Sequence, residues 1–177
     1  MVSTDAAERF LAAPWLADLD PASRLAVLNV LGEDRAPAGT VLLEQGHEND
    51  HISFLIEGTV SITRSYPDGR VETVATLNAP SVFGETSFFR TTPPIATVRT
   101  TTPVWLLTLD HPGHELLRRA DPKAAEQLAV AAVRVLAERF DQLDRRISEY
   151  IAARPEGHPK STEWANFRAR LFEESNI

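Results

Sequence analysis

Residues 51–110 read HISFLIEGTVSITRSYPDGRVETVATLNAPSVFGETSFFRTTPPIATVRTTTPVWLLTLD. The stretch is rich in Val, Ile, Thr, Leu and Phe and is punctuated by Gly and Pro, a texture that reaches back to residue 37. Short β-branched and aromatic runs bounded by turn residues predict strands. They fall at Val41–Glu44, His51–Glu57, Thr59–Ser65, Arg70–Leu77, Ile95–Thr100 and Val104–Asp110. Tyr66-Pro67-Asp68-Gly69 predicts a hairpin, because Asp-Gly supplies the φ > 0 positions of a tight turn. Gly39, Gly46 and Gly58 mark further turns. Many short strands separated by turns predict a mainly β protein, a jelly-roll barrel over 37–110.

The flanks are helical. Residues 1–36 read as a helical N-terminus of two short helices. Ser3 or Thr4 caps the first, and Asp20-Pro21 opens the second with Pro at the first helical position. Phe10, Leu11, Trp15 and Leu16, then Leu25, Leu28 and Leu31, supply apolar residues at helical or near-helical spacing, and Gly32 is expected to end the second helix. From His111 the texture is helical again, and Asp121-Pro122 begins a long C-terminal helix running to about Ala153. Thus 1–153 reads as one domain, with 111–153 as its closing helices. Arg154-Pro155-Glu156-Gly157-His158-Pro159 breaks the helix. A tail helix is expected within 154–177, with Ser161 or Thr162 as cap and Trp164, Phe167 and Leu171 along one side.

Composition narrows the function. The chain has 177 residues, a formal net charge of −7 and no cysteine, which excludes disulfides and thiolate metal sites. An acidic chain has no general attraction for phosphate backbones or anionic lipid. MVSTDAAERF lacks the basic-then-apolar pattern of a secretory signal, and no apolar run is long enough to span a bilayer. The expectation is a cytoplasmic protein without DNA or membrane as partner. No Ser-His-Asp order, P-loop or carboxylate pair has supporting context, so no catalytic residue and no cofactor is assigned. His47 and His51, with Glu48 and Asp50 between them, fall in a predicted turn and are read as a solvated loop rather than a metal site. His111 and His114 flank Pro112-Gly113 and are read as capping or surface residues.

Four motifs in order carry a resemblance. They are Gly39-Thr40-Val41-Leu42 followed by Gln45-Gly46, then Ile56-Glu57-Gly58-Thr59-Val60, then Phe83-Gly84-Glu85, then Ala96-Thr97-Val98-Arg99. Their order and spacing resemble the cyclic-nucleotide-binding domain superfamily over roughly residues 10–150. Cyclic AMP receptor protein, the kinase A regulatory subunit and cyclic-nucleotide-gated channels share that fold. The resemblance implies a phosphate-binding cassette opening at Phe83, with Gly84, Glu85 and Thr86 at its start. Gly84 would allow close backbone approach, and Glu85 would accept from a ribose hydroxyl. The family's Arg and Ser/Thr positions, counted back from Ala96, are held here by Pro94 and Ile95. Pro has no donor, and Ile puts an alkyl group where an anion would sit. Arg90 is a substitute cation inside the cassette, or a solvated surface residue. Arg99 is read as structural. A gap-free count places Arg139 and Phe140 at the base contact, where Phe140 could stack on a purine.

Ala129, Val133, Leu136, Phe140, Leu143, Ile147 and Tyr150 are spaced 4, 3, 4, 3, 4, 3. That is the seam of a coiled coil, and it predicts a parallel homodimer through the second half of the long helix, at Val133, Leu136, Phe140, Leu143, Ile147 and Tyr150. The bland alternative is a single amphipathic helix packed on its own barrel, which is expected for the first turns.

The leading expectation is a non-catalytic regulatory module with a degenerate cassette, acting through dimerisation and a protein partner. The alternative is a genuine sensor of cyclic AMP or cyclic GMP with an unorthodox phosphate contact such as Arg90. A DNA-binding regulator is not expected, because 24 residues follow Ala153, fewer than a helix-turn-helix with its wing needs.

Overall fold

The computed structural model describes residues 2–152, so the expected tail helix lies outside the described residues. Eight strands form two antiparallel four-stranded sheets. They are β1 (Gly32–Ala36), β2 (Val41–Leu43), β3 (His51–Glu57), β4 (Thr59–Ser65), β5 (Val71–Asn78), β6 (Ser81–Phe83), β7 (Thr97–Thr100) and β8 (Val104–Asp110). One sheet has the order β1-β8-β3-β6 and the other β2-β7-β4-β5. The fold is a jelly-roll-like β sandwich with short N-terminal helices and a long C-terminal helix. Leu55, Phe83, Val104 and Leu106 from the first sheet meet Leu43, Val60 and Val98 from the second in an apolar core.

The helices are α1 (Thr4–Leu11), a 3-10 turn (Pro14–Leu16), α2 (Pro21–Leu28), α3 (Glu85–Arg90), α4 (His111–Ala120) and α5 (Pro122–Ala152). Phe10 of α1 and Trp15 of the 3-10 turn pack on Phe54 of β3, the first edge-on at 5.4 Å and the second stacked at 4.9 Å. These rings cover the first sheet on the face away from the barrel core. Arg24 of α2 ties the segment together by donating to the carbonyls of Leu11, Ala17 and Leu19. Asp20 caps α2 by accepting from the Ser23 amide at 2.9 Å. Its other oxygen meets Lys123 of α5 at 2.9 Å, and its amide donates to Gln127. The Lys123 and Ser23 bonds hold the Asp20 carboxyl well below the usual carboxylate range.

The structure resolves into two compact units, Met1–Ala132 and Val133–Ile177, and α5 contributes to both. In the first, α5 buries Ala124, Ala125, Leu128 and Ala131. In the second, Val133, Leu136, Phe140 and Leu143 are exposed and Ile147 is half-buried. Tyr150 lies on α5, and its side chain is outside the described residues.

Several features differ from the sequence reading; β2 ends at Leu43 and β5 runs Val71–Asn78, each within a residue of its predicted bounds. The N-terminal segment is not helical to residue 36, since Gly32 opens strand β1 instead of ending α2. β1 reads GEDRA and has no apolar alternation; pairing with β8 from Gly32↔Thr108 to Ala36↔Val104 makes it a strand. Ser3 sits at the N-cap of α1 without capping it, because its amide and hydroxyl both donate to Glu33. β6 is a three-residue strand between Pro80 and Gly84, too short to show a period. β7 begins at Thr97, two residues after its predicted start.

Removing the ring on which the N-terminal helices rest should be costly. Phe54→Ala is expected to lower unfolding stability by about 3–5 kcal/mol in urea denaturation at unchanged m-value. A loss below about 1 kcal/mol would show that these helices do not depend on that contact.

Candidate functional site

The site is built where β6 ends. Phe83 is buried in the barrel core, and Gly84 follows in the left-handed region at φ 87. A Cβ at Gly84 would stand 2.9 Å from the His51 carbonyl oxygen and 3.3 Å from Leu43 Cδ1, so the close approach itself requires glycine. The chain then turns into α3, whose Phe88 amide donates to the Gly84 carbonyl at 3.0 Å. Thr91 ends the helix at φ 53.

Asn49, in the loop before β3, pins this turn. Its side-chain amide donates to the His51 carbonyl at 2.8 Å and to Ser87 Oγ at 2.9 Å. The Ser87 hydroxyl donates in turn to the Gly84 carbonyl at 3.0 Å. Neither Asn49 nor Ser87 stands out in the sequence. Polar residues in turns are too common to draw notice, and only the short Asn-x-His spacing to a strand start could have pointed to Asn49.

Glu85 opens α3 and is 3% exposed. The Thr86 hydroxyl donates to its carboxylate at 3.4 Å. At the far end, the Pro94 carbonyl accepts from the Gly46 amide at 2.9 Å, and Thr97 Oγ1 accepts from the Gln45 amide at 3.1 Å. Ile95 between them is 67% exposed and Ala96 is half-buried. Arg90 is exposed at the last position of α3. Arg99 points outward on β7 and donates to the Gly39 carbonyl at 2.6 Å, a structural role. Arg139 and Phe140 belong to the other unit, where Arg139 is half-buried and Phe140 exposed.

The two histidines on α4 are more than capping or surface residues. His111 is exposed, but its ring stacks on Phe88 with centroids 4.1 Å apart. His114 is half-buried and meets Phe88 at 5.5 Å and Phe89 at 5.8 Å, edge to face. The cap of α4 is Asp110, which accepts from the Gly113 amide at 2.7 Å. Burial pushes the His114 imidazole below its ordinary value, and Arg118 and His111 push the same way. The hydrogen bond from His51, 2.9 Å away, lowers the Asp50 carboxyl. His47 lies in the turn before β3 and His51 begins that strand. Among the described residues no group of three or more His, Cys, Asp or Glu is placed to hold a metal ion. Nor is any described helix long and apolar enough to cross a membrane.

A jelly roll whose β6 runs through a left-handed Gly84 into a short helix opened by a buried Glu85 defines the class. The family model of the cyclic nucleotide-binding domain matches residues 33–121, and the chain belongs to that family. It is similar to a CRP-like cAMP-activated global transcriptional regulator of Mycobacterium tuberculosis, 30% identical over 134 residues, which are 75% of this chain and 58% of that protein. It is also similar to a cyclic nucleotide-gated potassium channel of Rhizobium etli, 31% identical over 69% of this chain and 33% of the channel. The chain therefore spans between one third and three fifths of these curated relatives. Among solved structures, a cyclic nucleotide-binding domain from Methylobacillus flagellatus superposes with a TM-score of 0.75 at 19% identity, covering 88% of each chain. At that identity the likeness shows the fold alone.

The close approach at Gly84 can be separated from the cost of a positive φ. Gly69 has φ 84, but a Cβ there would meet nothing within 4 Å. Gly84→Ala should lose at least about 1 kcal/mol more stability than Gly69→Ala in parallel urea melts. Equal losses would remove the packing role assigned to Gly84.

Proposed function

We propose that the chain is a non-catalytic regulatory module whose cassette takes cyclic AMP or cyclic GMP weakly or not at all, and which acts as a parallel homodimer toward a protein partner. The observation that carries the first part is the occupancy of the cassette's far end. Where the resemblance calls for a cation and a hydroxyl, this chain has Pro94 and an exposed Ile95. Charge-assisted hydrogen bonds are roughly twice as strong as neutral ones, so a phosphate diester without its cation loses about 100-fold or more in affinity.

The dimer reading is supported by the exposed stripe of Val133, Leu136, Phe140 and Leu143 on α5. Ile147 and Tyr150 continue its spacing. Written as heptads, Val133, Phe140 and Ile147 are a positions, and Leu136, Leu143 and Tyr150 are d positions. Arg139 is then a g position and Asp144 the e position five residues on. A parallel pair sets Arg139 of one helix beside Asp144 of the other, whereas an antiparallel pair sets like charges together.

A second reading, a genuine sensor, is favoured by the retained Gly84 and buried Glu85 and by an exposed Arg90 in the cassette. Calorimetric titration with cyclic AMP and cyclic GMP separates the two. The expected dissociation constants are high-micromolar or weaker, and Pro94→Arg with Ile95→Ser should tighten binding at least about tenfold. Submicromolar binding by the wild type overturns the first reading, and its loss in Arg90→Ala would establish the second. Light scattering tests the dimer. Wild type should show twice the mass of one chain, and Leu143→Glu, which buries a charge in the seam, should show one. A monomeric wild type across the micromolar range would exclude the seam.

A further inference from the structure

Four rings hold the cassette helix to the helix that follows the barrel. Phe88 of α3 is buried and stacks on His111, and both Phe88 and Phe89 meet His114 edge to face. Two phenylalanines alone would make this contact indifferent to pH. His114, three residues after His111 on α4, brings to it an imidazole that can take a proton on acidification. We propose that His114 makes this contact a pH-sensitive latch, closed on Phe88 and Phe89 when its imidazole is neutral and loosened when it takes a proton, so that acidification frees the cassette helix from α4.

The electrostatic surroundings decide the direction. On α4, Arg118 and His111 both oppose a positive charge at His114. Glu115 favours one, but its two oxygens are already engaged, accepting from Arg118 at 3.0 Å and from Arg119 at 2.8 Å. Asp110 is committed to the Gly113 amide as the helix cap. From the loop before β3, Asp50 is bonded to His51 and acts on His111 rather than on His114. The charged residues of α3 are Glu85 at its first position and Arg90 at its last; Phe88 and Phe89, between them, are what touch the imidazoles. Burial is the largest influence on His114, and it also disfavours the charged form. His114 is thus held neutral below the ordinary histidine value of 6.5. The unfolded or unlatched chain binds that proton more readily than the latched one. The stabilisation is complete above 6.5 and is lost as the pH falls below it.

The latch does not depend on whether the cassette takes a ligand, so it is tested without one. Hydrogen–deuterium exchange of the full chain, each rate divided by its intrinsic value at that pH, reads the protection of the α3 amides. Between about pH 7.5 and about pH 5.5, wild type should lose several-fold more protection in α3 than His114→Leu. His114→Gln removes the proton site while keeping a polar side chain, and it serves if the leucine variant does not fold. His111→Leu removes one of the repelling groups and should move the midpoint of the wild-type response upward. A response of the same size in wild type and in both His114 variants overturns the proposal. So does protection in wild type that does not change over this range.

Discussion

Strand β3 is buried on both of its faces, and the rest of the molecule is arranged by that demand. Ile52 through Ile56 are all buried. A strand wet on one face needs one apolar partner layer; this one needs two. Leu55 is satisfied by the barrel core, and Phe54 on the other face by Phe10 and Trp15. The N-terminal helices are therefore a structural layer and not an appendage. β3 also sits between β8 and β6, so the strand that leads into Gly84 and α3 is paired directly to this doubly buried strand. The His51 carbonyl at its start receives Asn49 and limits the space at Gly84. Core and site are thereby fixed by the same seven residues.

The second layer is held by polar contacts placed at its margins. Glu33 of β1 accepts from Ser3 of the N-terminal segment and from the Trp105 indole at 2.9 Å, joining α1, β1 and β8. These bonds keep its carboxyl below the usual range. Arg35 lies over the same indole at 3.9 Å. Asp20 joins α2 to α5 through Lys123 and Gln127. Such contacts are individually modest when solvent reaches them. Their value here is directional, since apolar layers slide and charge-assisted bonds do not.

Much of this is legible in the sequence because it follows period and punctuation. β3, β4 and β8 have their predicted bounds, because β-branched and aromatic runs end at residues that cannot continue them. β1 is not legible. GEDRA carries no apolar alternation, and only the partner strand makes it β. Gly84 and Glu85 stand out in the sequence, and the structure gives the first a left-handed backbone and buries the second. Asn49 and Ser87 do not, since their bond runs between segments 38 residues apart. His114 looks peripheral in the sequence for a related reason. Two histidines flanking a Pro-Gly pair resemble a helix start, and the phenylalanines that meet His114 come from another element. The exposed face of α5 is legible as apolar, because a heptad spacing needs no tertiary context to be seen.

One contact in the second sheet has a chemical consequence. The Gln45 side chain donates to the Ser65 carbonyl at 2.9 Å and accepts from the Ser65 amide at 2.8 Å. A primary amide is here imitating a peptide group, a one-residue strand laid against the end of β4. The imitation depends on nitrogen. Hydrolysis of that amide to a carboxylate would keep the shape and the acceptor but replace the donor with a negative oxygen facing a carbonyl. A spontaneous change of about one mass unit, invisible to any measure of size or helix content, would then undo one rung and repel at the other. The ageing of Gln45 would be felt as a loosening between the loop after β2 and the end of β4.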